Sequence, residues 1–185
     1  ALAALGFKDA DGDGVVERDG KPLVFELLVN DAQNRVDAAT MVQAQLKKAG
    51  IGVNVRVMEY AAYIDRILAM EFDAAFVEWK VPTKVDLTQL FHTGAMRPRG
   101  YNFVSYSNPE VDRLIDEALA QREMEPARVL WSKVQRVIYD DQPYTFIAVP
   151  EEITAIDDRF CNVVPSAISI FAHLADWRLE PDCAP

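Results

Sequence analysis

Four carboxylates near the start of the chain have the spacing of a cation site. Asp9, Asp11 and Asp13 stand at alternate positions, Gly14 follows at the sixth place of the run, and Glu17 falls at the ninth. In an EF-hand loop such positions converge on Ca²⁺, while the glycine makes the sharp turn. The twelfth place, which such loops give to a bidentate Glu, is Gly20, and no helical pattern follows it. Two readings stand: a structural calcium loop lacking its strongest ligand, or a polar turn whose Asp side chains bond their own backbone.

A second group of residues suits an organic ligand. Residues 72–79, Phe-Asp-Ala-Ala-Phe-Val-Glu-Trp, read as a buried strand, and Pro82 between Lys80 and Lys84 stops it. Trp79 then sits at the carboxyl end of a strand, where open α/β sheets place their ligands. Covering an indole removes about 150–250 Å² from water, worth roughly 4–6 kcal/mol at about 25 cal/mol per Å². Something should therefore cover it: a ligand and a partner lobe, or the core of its own lobe. Lys80 beside it would meet an anionic group, with an ordinary surface lysine as the alternative. Tyr101, Asn102 and Phe103 would line the same cleft, or the two aromatics would anchor their loop. Glu59 and Tyr60, at the end of an earlier strand, are candidates of the same kind.

Catalytic chemistry finds no purchase. His92 and His173 are far apart and lack metal-type spacing, and no G-x-S-x-G, H-E-x-x-H or G-x-G-x-x-G occurs. The adjacent acids Asp140-Asp141, Glu151-Glu152 and Asp157-Asp158 point to different sides of any regular element, so they make poor acid/base dyads. The chain is not expected to be an enzyme, and no cofactor is implied beyond the calcium loop.

The 185 residues suffice for one sizeable domain, and 19 basic against 29 acidic residues give a net charge of −10. That balance argues against nucleic acid as a partner and against anionic membranes. No apolar run approaches the ~20 residues of a membrane helix. Ala1 to Gly6 reads as the last turns and glycine stop of a helix begun upstream, so the chain is expected to be a fragment. Cys161 and Cys183 form either a disulfide in an oxidising compartment or a buried thiol and a loose one.

The elements that would position these residues follow a β-α-β-α-β order. Residues 23–29 read as a strand buried on both faces. Asn34 is expected to cap a helix over 35–49 that stops at Gly50, and 51–57 alternates as a second strand. Residues 60–70 read as a helix with Tyr60, Ile64, Ile67 and Leu68 on one side, followed by the strand 72–79. Short links make a small parallel sheet with right-handed crossovers the economical fold. A short helix over 86–91 precedes a long irregular stretch, 92–107. Asn108 and Pro109 open the next helix, to about Gln121. A helix over 127–140 follows, with Val129, Leu130, Val134, Val137 and Ile138 as its apolar stripe. Residues 144–149 read as a strand, and 151–185 as a segment meant to pack on something else.

Taken in order, Asp11-Gly12-Asp13-Gly14, Phe72-Asp73 leading to Trp79, Asn102-Phe103, Tyr106-Ser107-Asn108-Pro109-Glu110-Val111-Asp112, and Arg128, Gln135, Ile138 and Asp141-Gln142-Pro143 resemble a known family. The chain looks like the carboxyl-terminal lobe of the large solute-binding proteins of ABC importers, of the oligopeptide, dipeptide and nickel type (solute-binding family 5). The resemblance implies an α/β, periplasmic-binding-protein-like lobe: a small, mostly parallel sheet flanked by helices, with a C-terminal segment returning to a hinge. Residues 1–143 would be the ligand-binding lobe. Residues 144–185 would be a hinge strand and a segment packing on an absent amino-terminal lobe. It further implies a periplasmic or lipid-anchored extracellular protein, with a peptide or other small ligand and an ABC permease as partners. Exposed hinge surface would let the fragment self-associate. A ligand-sensing domain of a regulator is the alternative use of the same lobe. Peptide-binding members usually carry an acid just after the strand-end Trp to pair with the ligand's α-amine. Here Lys80 and Lys84 occupy that stretch and no acid comes before Asp86, so a neutral or anionic ligand, or a peptide held without that contact, is expected.

Overall fold

The computed structural model describes residues 1–79, 84–149, 151, 153–166 and 169–179. The chain divides into two compact units, Ala1–Pro143 and Tyr144–Pro185.

The first unit opens with a 3₁₀ turn, Leu2–Leu5, stopped by Gly6 in the left-handed region (φ 85°). The acidic loop follows, then a two-residue hairpin, β1 (Glu17–Arg18) with β2 (Lys21–Pro22). Next come β3 (Val24–Asn30), α1 (Gln33–Lys47), β4 (Gly52–Met58), α2 (Tyr60–Leu68) and β5 (Ala74–Ala75). The three longer-range strands make one parallel sheet in the order β4-β3-β5. Leu28 and Val29, neighbours in the central strand, are both fully buried. Successive side chains of a strand point to opposite faces, so both faces of β3 are covered, as its continuous apolar run requires. On one face Leu27, Val29 and Val53 pack with Ala39, Val36, Val42 and Leu46 of α1. Tyr63 and Ile67 of α2, which packs on β3, are buried as well.

Two glycines are fixed by geometry. Gly50 ends the turn after α1 at φ 78°, where a Cβ would stand 2.8 Å from Val16 Cγ1. Gly52 faces Val24 across the ladder, and a Cβ there would come within 2.7 Å of Val24 Cγ2.

The second half of the unit holds α3 (Thr88–Phe91), a 3₁₀ turn at Thr93–Ala95, α4 (Pro109–Ala120) and α5 (Met124–Asp141). Val111, Leu114, Ile115 and Ala118 recur at i, i+3, i+4 and i+7 along α4 and are buried, as are Val134 and Ile138 of α5, on which α4 packs. Asn108 caps α4 as expected, its Oδ1 accepting from the Glu110 and Val111 N–H groups at 2.9 and 3.4 Å. Such a cap stabilises a helix by about 1 kcal/mol.

Several expectations need correction. Helix α1 starts before Asn34: the Ala32 carbonyl takes the Arg35 and Val36 N–H groups, and Asp37 accepts from Gln33 Nε2. In α2 the buried ring is Tyr63, and Tyr60 is exposed. The strand expected over 72–79 pairs only at Ala74 and Ala75, with one further bond from Phe76 N–H to the Leu28 carbonyl at 2.8 Å. Beyond it the chain is drawn toward contacts with α1 and the 101–103 loop. Val129, expected in the stripe of α5, is exposed. Residues 144–149 form no strand, because no partner strand faces them among the described residues.

The second unit contains β6 (Phe160–Cys161) and β7 (Arg178–Leu179), paired antiparallel, and a 3₁₀ segment, Ile170–Asp176. Trp177 lies between Phe160 and Phe171, at centroid distances of 5.6 and 5.8 Å. Cys161 is disulfide-bonded. The chain's other cysteine, Cys183, lies outside the described residues. No helix among them is long and apolar enough to cross a membrane.

Candidate functional site

A parallel sheet brings the carboxyl ends of its strands to one edge, which here carries Asn30 from β3, Met58 from β4 and the stretch after β5. Trp79 belongs to that stretch, three residues beyond its last ladder bond. Its indole stacks on Phe103 at 5.7 Å with an interplanar angle of 20° and meets Tyr101 edge-on at 5.8 Å and 88°. Phe72 meets Phe103 edge-on at 6.1 Å. Phe103 is buried, whereas Trp79 and Tyr101 remain 38% and 50% exposed. The result is an aromatic platform with a buried back and an open front. A surface of this kind offers stacking and apolar cover to a ligand and supplies no nucleophile or base.

Asn102, expected to line the cleft between these rings, does something else. Its side chain is fully buried. Nδ2 donates to the His92 and Tyr106 carbonyls at 3.2 and 2.8 Å, and Oδ1 accepts from the Tyr106 N–H at 3.0 Å. One amide side chain thus closes the irregular 92–106 stretch on itself and fixes the two flanking aromatics. Tyr106 is held in turn: its hydroxyl donates to Asp141 Oδ2 at 2.6 Å, and Asn108 Nδ2 donates to the same oxygen at 2.8 Å. Burial and the Asp141 carboxylate push the Tyr106 hydroxyl well above the usual phenol range, while the two hydrogen bonds hold Asp141 below the usual carboxylate range.

The remaining candidates are distributed as follows. Lys80 lies outside the described residues. Glu59 caps α2, one carboxylate oxygen accepting from Ala61 and Ala62 N–H at 2.9 and 3.2 Å. Tyr60, next to it, is exposed at the carboxyl end of β4, so the central strand separates the pair from β5. Asp86, the nearest acid after Trp79, accepts from Thr88 N–H at 3.0 Å, and hydrogen bonding from Thr88, side chain first and then backbone, draws its carboxyl below the usual range. A shallow depression on α5, lined by Arg128, Val129, Ser132, Lys133 and Arg136, includes none of these residues.

Four contributors escape sequence reasoning: Arg35, Glu78, Asn30 and Tyr63. Arg35 of α1 donates to Glu78 Oε2 at 2.6 Å and to Asn30 Oδ1 at 3.1 Å, and Asn30 is buried. Tyr63 of α2 donates to the Phe76 carbonyl at 2.8 Å, and burial raises its hydroxyl to about 12. The signals available were a polar residue at the end of a buried strand (Asn30) and an acid directly before the Trp (Glu78).

In the acidic loop, one ligand atom from each of Asp9, Asp11, Asp13 and Glu17 lies within 4.8 Å of the others. Asp9 also accepts from Gly12 and Gly14 N–H, at 2.8 and 3.0 Å, and Asp13 from Val15 N–H at 2.7 Å. The Asx-type bonds of a polar turn and the convergence of a cation loop coexist here.

Comparison with known proteins adds the following. Residues 1–95 match the profile described as bacterial extracellular solute-binding proteins, family 5, middle. The chain is 34% identical over 161 residues to the oligopeptide-binding protein AppA of Bacillus subtilis, a match covering 85% of the chain and 30% of that protein. The solved structure of B. subtilis AppA in complex with a nonapeptide superimposes with a TM-score of 0.80 at 31% identity, over 96% of this chain and 36% of that one. The ABC transporter-associated periplasmic binding protein DppA of Helicobacter pylori, in complex with the peptide STSA, gives 0.61 at 26% identity, over 65% and 24%. The chain therefore spans about a third of the length of the AppA it matches.

Proposed function

The chain belongs to the bacterial extracellular solute-binding proteins of family 5, and from that premise we propose that it is one lobe of a binding protein that delivers a small ligand to an ABC importer. The family is one of binding proteins, and the site accords with binding. The observation that carries the reading is Trp79, left 38% exposed at the carboxyl edge of the sheet although Phe103 backs it closely. Trp79 and Tyr101 form the wall against which the ligand lies, and a second lobe closes over it. Lys80 follows Trp79 directly in sequence and meets an anionic or polar group of the ligand. Tyr60 and Glu59, further along the same edge, are outer contacts. Phe103 and Asn102 hold the wall from behind.

The ligand group beside Trp79 is neutral or anionic. The sequence from Lys80 to Val85 carries no acid, Glu78 is paired with Arg35, and Asp86 accepts from the Thr88 N–H. A free ammonium near a lysine in a water-poor cleft would be repelled, by about 4 kcal/mol at 4 Å and an effective dielectric of 20. Calorimetry of the full-length protein with a tripeptide and its N-acetylated form tests this. Comparable or tighter binding of the acetylated form is expected, and tight binding that needs the free amine would refute it.

Residues 144–185 serve as the crossing to the other lobe and pack on it. Phe146, Ile147, Val149 and Ile153 of this unit are more than half exposed, which supports a covering surface elsewhere in the parent protein, and self-association when it is missing. The setting is periplasmic, or extracellular with a lipid anchor. The disulfide at Cys161 supports an oxidising compartment. The acidic loop holds a structural calcium ion, weakly, because the bidentate twelfth ligand is Gly20.

A further inference from the structure

Between the last ladder bond of β5 and the indole of Trp79 lie two residues, Val77 and Glu78, and the backbone of this stretch makes no hydrogen bond among the described residues. Among the described residues, the contacts that bear on the direction of Trp79 come from side chains. The Trp79 indole goes to the 101–103 loop, whereas Glu78 goes elsewhere. Its carboxylate meets the Arg35 guanidinium at 2.6 Å. The Arg35 side chain, 22% exposed, is itself fixed by Asn30, a buried residue at the end of the central strand. A rigid strand end thus holds an arginine, the arginine holds Glu78, and Glu78 sets the residue that follows it. On the near side, Tyr63 grips the Phe76 carbonyl.

We propose that Glu78, held by Arg35 and Asn30, is a positioning residue for Trp79: it fixes the free stretch after β5 so that the indole faces the 101–103 loop and presents its open side to the ligand. The inference rests on the reading of Trp79 as a ligand wall, but its first consequence concerns the ring alone. Arg35 is the wrong residue to truncate, since its loss would strip a partner from buried Asn30 and disturb the core. Glu78 is the informative one, because E78A leaves the Arg35–Asn30 bond in place. The pair is partly exposed, so its direct contribution to stability is small.

The test uses the full-length protein with Trp79 and with W79F, each carrying Glu78, E78A or E78Q. Near-ultraviolet circular dichroism and acrylamide quenching of fluorescence, taken as differences between the Trp79 and W79F forms, isolate this indole from all others. With Glu78 the difference is expected to show a strong dichroic band and shielded emission. E78A should at least halve the band and raise the quenching constant about twofold. E78Q, which keeps an acceptor for Arg35, should restore most of both, and the melting temperature should move little throughout. A difference spectrum and quenching constant unchanged in E78A would overturn the proposal. Binding of the N-acetylated tripeptide is then measured on the same variants. If E78A moves the ring and weakens the probe about tenfold, both the positioning and the wall reading stand. If the ring moves while W79F and E78A bind the probe as before, the positioning stands and the wall reading falls.

Discussion

Replacing Asn102 by alanine separates the two roles that its place in the chain permits. The side chain is fully buried and makes three hydrogen bonds to backbone, at 2.8, 3.0 and 3.2 Å. Three bonds at about 1 kcal/mol net each, with about 1 kcal/mol more for a carbonyl or N–H left without a partner, give a loss of roughly 3–4 kcal/mol. In a domain of this size each kcal/mol lowers the melting temperature by about 2–4 °C, so a drop of roughly 10 °C is expected. Thermal unfolding followed by far-ultraviolet circular dichroism reads it directly. N102D, which keeps an acceptor for the Tyr106 N–H but sets a carboxylate against the carbonyls of His92 and Tyr106, should melt no higher than N102A. Were Asn102 a ligand contact alone, N102A would bind more weakly and melt with the wild type. A melting temperature within about 2 °C of wild type would therefore refute the structural role.

Two further outcomes are expected. Asp141, held below the usual carboxylate range by Tyr106 and Asn108, contributes stability that is present above the unfolded-state value near 4 and lost as pH falls through its lower folded-state value. The gap in denaturation midpoint between wild type and D141N should thus be constant at neutral pH, begin to shrink near pH 4 and vanish in stronger acid. Calcium should raise the melting temperature, following the logarithm of its concentration once the loop is saturated, and D11N should abolish the rise. A melting temperature indifferent to millimolar calcium would leave the loop as a polar turn.

The parts of the fold legible in the sequence are those fixed within a few residues. Asn108 with Pro109 announces the start of α4, Gly50 the end of α1, and the run from Leu23 to Val29 a strand covered on both sides, because cap, stop and pattern are local. The length of β5 was not legible. Its aromatic pattern continues to Trp79, but pairing depends on where β3 offers a free edge and on what Glu78 is attached to, 43 residues away at Arg35. Of the candidate residues, Trp79, Tyr101 and Phe103 stand out by type and proximity, and the structure does bring their rings together. From sequence alone Asn102 reads as a ligand contact, because the residue type that binds ligands also bonds backbone. Only the positions of His92 and Tyr106 show which of the two it does here. Arg35 stood in an unremarkable helix turn, and nothing nearby in sequence marks it.

The oxygen of Asp141 that receives both Tyr106 and Asn108 lies two residues before Pro143, where the first unit ends. Between them Gln142 takes a left-handed turn at φ 49°. Tension on the chain leaving this unit would therefore load two hydrogen bonds to one atom, together with the Gln142 bonds to the Ile138 and Tyr139 carbonyls at the end of α5. The same atom is the mooring of the loop that carries Tyr101 and Phe103, so a tug at the exit and a shift in the aromatic wall share a single mechanical joint.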